Sequence, residues 1–129
     1  MKLISLLALA LLSDPALQAS TPAPALEYHD AKAIADADEA SLSPQQRADL
    51  RASQSALLES GTTACATADP DLSALIVVMQ LDAHGKVMRT WLQGNSQLAI
   101  CLRRHAAAQS LAPPPRAPFY TSIELSFSR

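Results

Sequence analysis

The chain has 129 residues, with 10 basic and 12 acidic side chains and a formal net charge of −2. A balance this close to zero favours neither nucleic acid nor an anionic membrane surface as a partner. The length suits one domain with a modest core and is too short for two, and only two cysteines are available to reinforce it.

Residues 1–19 read as a secretory signal peptide: Lys2, the apolar run Leu3 to Leu12, then Ser13-Asp14-Pro15 and small residues up to Ala19. The run is about half of the ~20 apolar residues a membrane-spanning helix needs, and Asp14-Pro15 would end it. The expectation is export to the periplasm, with no integral span after cleavage; retention as an uncleaved anchor is the alternative. In an oxidising compartment the even pair Cys65 and Cys101 is most simply a disulfide, worth about 4 kcal/mol for a loop of this length in the chain-entropy description. The pair forms no Cys-x-x-Cys motif, and no histidine stands at a zinc-finger spacing from it, so redox and metal roles lack a pattern and no cofactor is expected.

Residues 20–42 are expected to be a linker followed by a weakly packed acidic segment. Thr21-Pro22-Ala23-Pro24-Ala25 is extended, and His29 to Ala40 is alanine-rich with Asp30, Asp36, Asp38 and Glu39 but almost no apolar face. The folded domain is placed at 43–129. It opens with Ser43-Pro44-Gln45-Gln46, which supplies an N-cap serine, a proline at the first helical position and a glutamine three residues after the cap. The helix runs from there to Ser60, with Leu50, Leu57 and Leu58 on one side and Gly61 suited to its C-cap.

Ala74 to Leu81 is a β-branched and apolar run with both faces apolar, which predicts an interior strand covered on each side. Asp82-Ala83-His84-Gly85 turns the chain into a second strand, Lys86 to Leu92. Gly94-Asn95-Ser96 starts a helix at Gln97, with Leu98, Cys101, Leu102 and His105 as its apolar stripe, and Pro113-Pro114-Pro115 prevents its continuation. The last strand alternates: Phe119, Thr121, Ile123, Leu125 and Phe127 on one face, Tyr120, Ser122, Glu124, Ser126 and Ser128 on a wet outer face. The fold class is α+β, a three-stranded antiparallel sheet with the 97–110 helix on one face and the 44–60 helix near the other face or an edge.

The strand ending in Asp82-x-x-Gly85-x-Val87, the Gly94-Asn95-Ser96 start of a cysteine-bearing helix, the proline run and the strand ending Leu125-Ser126-Phe127 together resemble the C-terminal domain of TolA and TonB, the periplasmic tips of proteobacterial energy-coupling systems. The likeness covers 43–127 and is nearer to TolA, in which a helix precedes the strands and some members join a cysteine before the first strand to one in the helix, as Cys65 and Cys101 would. The chain departs from the energy transducers in its short apolar run and short linker, and in Gln97 where the family carries an acidic residue. The resemblance implies a non-enzymatic module that binds a periplasmic or cell-envelope protein by strand addition or by the surface around the sheet.

The edge of the last strand is accordingly the leading candidate contact, through Phe119, Tyr120, Thr121, Ser122, Ile123, Glu124 and Leu125, because an edge presents unpaired backbone groups to a partner. The alternative is an edge capped by the N-terminal segment. Arg103 and Arg104, with Lys86, Arg89 and Arg116, form a local basic excess that is either a solvated face or a docking patch for acidic groups, the Asp30 to Glu39 segment of this chain among them. Trp91 is either a packing residue or part of the partner surface. A second functional class is a small periplasmic inhibitor or immunity-type protein acting through the loop at Asp82 to Lys86 or at Pro113 to Pro118. The histidines are isolated, and no nucleophile-elbow motif accompanies them.

Overall fold

The computed structural model describes residues 25–128; the expected signal peptide and nearly all of the expected linker lie outside them. Six elements follow one another: α1 (Tyr28–Ala40), α2 (Pro44–Ala64), β1 (Leu75–Leu81), β2 (Val87–Gln93), α3 (Gln97–Ala107) and β3 (Phe119–Leu125). The strands form one antiparallel sheet in the order β2-β1-β3, so the most apolar strand is central. The fold is α+β.

Local chemistry sets most element boundaries. At the start of α2 the Ser43 hydroxyl accepts from the Gln46 amide at 3.2 Å while the Gln46 side chain accepts from the Ser43 amide at 2.9 Å, a reciprocal cap ahead of Pro44. Ser96 caps α3 one-sidedly, its hydroxyl accepting from the Ala99 amide at 3.0 Å. Between β1 and β2 the Asp82 carboxylate accepts from the amides of His84 and Lys86, both at 2.9 Å, and Gly85 takes a φ of 85°. A Cβ there would sit 2.1 Å from the Leu111 carbonyl oxygen, so the turn needs glycine for both its dihedral and its space.

The odd-numbered β1 residues Leu75, Val77, Met79 and Leu81 pack with Phe119 and Ile123 against Leu50 and Leu57 of α2 and Ala99, Leu102 and Ala106 of α3. Both α2 and α3 therefore cover the same face. This differs from the expected placement of the 44–60 helix, and α1 is the reason. Ala31 and Ala35, both fully buried, bring α1 down on the other face over Val78 and Trp91, with Tyr28, Ile76 and Tyr120 alongside. The segment expected to be weakly packed thus supplies the second cover; its small side chains need no apolar stripe of their own because the sheet provides the bulk.

Two further details depart from the sequence reading. The second helix runs to Ala64, and Gly61 is a buried helical residue rather than a cap. A Cβ on it would come within 2.7 Å of Leu102 and 3.1 Å of the His105 ring, so its role is close approach of α2 to α3. The buried stripe of α3 is Ala99, Leu102 and Ala106, shifted from the expected one, because alanine lets the helix backbone lie near the sheet. Cys65, just beyond α2, is bonded to Cys101 on α3 across a Cα–Cα distance of 5.8 Å and a sequence separation of 36. The bridge ties together the two helices that share a face.

Candidate interaction surface at the sheet edges

Each outer strand pairs only with β1, so the sheet has two edges, and they differ in chemistry. Along β3 two of the outward amides, those of Tyr120 and Ser122, are already used. Tyr120 donates to the Asp38 carboxylate at 2.9 Å and Ser122 donates to the Glu39 carboxylate at 3.1 Å. The Gln54 side chain donates to the Ser122 carbonyl at 3.1 Å and to the Thr121 hydroxyl at 2.8 Å, and that hydroxyl donates to Glu39. Arg116 clamps the arrangement from outside with a 3.0 Å ion pair to Asp38. The carboxylates stand where the carbonyls of a fourth strand would stand, so the α1–α2 corner closes this edge over Tyr120 to Ser122 within the chain. The outer face of β3 is covered as well, not wet as its polar alternation suggested, since Tyr120 and Ser122 are half-buried beneath α1.

The side chains of the expected contact are placed accordingly. Phe119, Thr121 and Ile123 are buried in the core; Tyr120, Ser122 and Leu125 are half-buried, and only Glu124 of this strand is exposed. Trp91 is 7% exposed, donates its indole N–H to the Leu26 carbonyl at 2.8 Å and lies 5.7 Å from the Tyr120 ring, so it is a packing residue under α1. Arg103 and Arg104 are exposed on α3 and do not adjoin the β3 edge; Arg103 reaches the opposite side of the sheet.

That opposite edge, β2, is open over a short window. Its first residues are covered: Val87 donates its amide to the Gln109 carbonyl at 3.1 Å, and Lys86 forms an isolated bridge to Ser110. An irregularity in register opposite Gln80 and Leu81 then adds a residue to β2 and reverses which groups point outward. Since Arg89, Trp91 and Gln93 face the even-numbered residues of β1, the backbone groups of Thr90 and Leu92 face away from the sheet. Among the described residues the one hydrogen bond to these outward backbone groups comes from Arg103, whose Nη2 donates to the Thr90 carbonyl at 3.2 Å; its Nε also donates to the Thr90 hydroxyl at 3.1 Å. Met88 and Ile100 lie 60% and 48% exposed. This edge was missed at the level of sequence because its openness depends on strand order and on what the other segments cover.

Other groups that invite a chemical reading are locally satisfied. His105 Nε2 lies 2.8 Å from the Ser60 hydroxyl, but Ser60 also donates to the Leu57 carbonyl, and no carboxylate is hydrogen-bonded to the ring among the described residues. The expected loop wedges are held in place, the first by the Asp82 turn and the second by the Arg116 ion pair. Hydrogen bonds from the Lys86 and His84 amides hold the Asp82 carboxyl below its usual pKa. A cleft of about 320 Å³ lies between α1 and α2, bordered by Glu39, Leu42, Arg47, Leu50, Arg51 and Gln54. No described helix is long and apolar enough to cross a membrane.

Comparison with protein-family models, with curated proteins and with solved structures finds no match to this chain.

Proposed function

We propose that this chain is a non-enzymatic protein-binding module of the cell envelope, of the TolA/TonB C-terminal type, that receives a partner strand at the edge of β2. The observation that carries the reading is the inequality of the two edges: carboxylates of the same chain occupy the outward amides of Tyr120 and Ser122 at the middle of β3, whereas Thr90 and Leu92 on β2 have no strand neighbour. An open edge gains main-chain hydrogen bonds from an added strand without disturbing the core. The apolar leader and the Cys65–Cys101 bridge support an exported, oxidising location. The partner is then a periplasmic or envelope protein.

Crosslinking capture from a periplasmic extract, run in parallel with Thr90→Pro and Ser122→Pro, tests this. Proline at 90 removes an outward N–H that β1 does not use and is sterically tolerated on an edge. Capture should be lost with Thr90→Pro in a domain that still melts cooperatively. Capture that survives Thr90→Pro but fails when Lys86 or Arg116 is changed would move the site to a loop and overturn the reading.

A further inference from the structure

We infer that the β2 edge selects an extended segment carrying acidic side chains, with Arg103 serving as a placeholder for the missing strand. The inference rests on the edge reading above and adds the chemistry of the occupant. Arg103 spends two of its N–H groups on Thr90, one on the hydroxyl and one on the carbonyl that an incoming strand's amide would take. When that amide arrives, the guanidinium is released at the flank of the new strand with its donor fork directed at whatever side chain lies there. A carboxylate accepts such a fork in bidentate fashion; no neutral side chain satisfies it as well.

The rest of the rim points the same way. Arg89 extends from β2 on the opposite face of the sheet, its guanidinium 4.8 Å from the Trp91 ring centre. The two ion pairs among the described residues are Lys32–Asp36 and Arg116–Asp38, so neither Arg89 nor Arg103 has a carboxylate partner there. The edge is thus flanked by a cation on each face, and a strand laid between them with carboxylates on alternate sides would meet both. Ile100 stands one helical turn before Arg103 on the same flank of α3 and, with Met88 at the other end of the window, offers exposed apolar surface to an aliphatic residue of the segment. A second copy of this chain is disfavoured, because antiparallel pairing of two β2 edges about Thr90 would bring like guanidinium groups together.

The test uses the disulfide-bonded chain and short fluorescent peptides in which adjacent Glu pairs, one carboxylate on each face of the strand, are separated by Val, with Gln-for-Glu and Lys-for-Glu versions, read by anisotropy. The acidic peptide should bind, lose affinity as salt rises, and weaken about tenfold or more on replacement of its glutamates by glutamine. The Lys version should not bind. Arg103→Gln should abolish the preference for Glu over Gln, while Arg103→Lys should restore only part of it, since an ammonium keeps charge without the fork. Equal binding of the Glu and Gln peptides, or no binding of the acidic one, would overturn the acidic selectivity. Acid-selective binding that is indifferent to Thr90→Pro would overturn the edge reading itself. Self-association abolished by Thr90→Pro would assign the edge to a second copy and overturn the inference.

Discussion

Gly61 and Asp82 show how single residues position everything larger. Gly61 costs α2 helix propensity, about 1 kcal/mol relative to alanine, yet there is no room for a side chain between α2 and Leu102 and His105 of α3. Gly61→Ala should recover that propensity and still lower stability by a net ~1 kcal/mol or more in denaturant titration, because the added methyl meets buried Leu102. An unchanged or raised stability would show that the helix pair can part without cost. Asp82 ties the β1–β2 turn, and its folded-state pKa lies below its ordinary value of 3.8 because the carboxylate accepts from two backbone amides. A depressed carboxyl pKa contributes stability above the unfolded value and loses it as pH falls through the folded one. The Asp82 contribution should therefore be complete at neutral pH, begin to decline at about pH 4 and be lost as the pH falls through the lower folded-state value. Comparing Asp82→Asn with the parent chain across that range checks this, since the difference between them should shrink on acidification.

At the scale of elements, the unexpected participant is α1. Its last turn carries Asp38 and Glu39 and no basic residue, an arrangement the helix dipole disfavours at a C-terminus. The strand amides explain it, for the carboxylates are placed to serve β3 rather than their own helix. Glu39→Ala removes the acceptor of the Ser122 amide and of the buried Thr121 hydroxyl, and should cost about 1–3 kcal/mol. Because Trp91 lies under α1, the same variant should also expose the indole, seen as a red shift of its fluorescence; a cost without that shift would mean that α1 stays docked without its edge contacts.

The sequence revealed those elements whose causes are local. Ser43-Pro44, Ser96 and the Asp82-to-Gly85 turn act within a few residues of themselves, and the apolar density of β1 announces a central strand whatever surrounds it. The packing of α1 was not legible, since Ala31 and Ala35 bury without apolar bulk and take their partners from three different strands. Nor was the choice of edge. The alternation of β3 marks a strand with a polar face, but carboxylates 82 and 83 positions away cover its edge, and nothing in a strand's own pattern reports so distant a cap.

For the molecule as a whole, the Cys65–Cys101 bridge fastens α2 to α3 on one face while the other face relies on α1 alone. The two faces should answer differently to perturbation. Replacing both cysteines with alanine should lower global stability by about 2–4 kcal/mol, measured in denaturant against the oxidised parent, with the Trp91 environment preserved under native conditions. A change in native Trp91 fluorescence would mean that the bridge also supports the far face.

The contact of Asp38 and Glu39 with Tyr120 and Ser122 also imposes an order in time. A chain threaded from its N-terminus delivers α1 long before β3, and the surface on which α1 rests does not exist until β3 has paired with β1. Contacts of such sequence separation form slowly, after the loop-closing cost of the intervening chain has been met. Helix α1 is therefore among the last elements to settle, and until β3 pairs the β1–β2 hairpin presents an unguarded edge on each side to whatever chaperone, protease or neighbouring chain reaches it first.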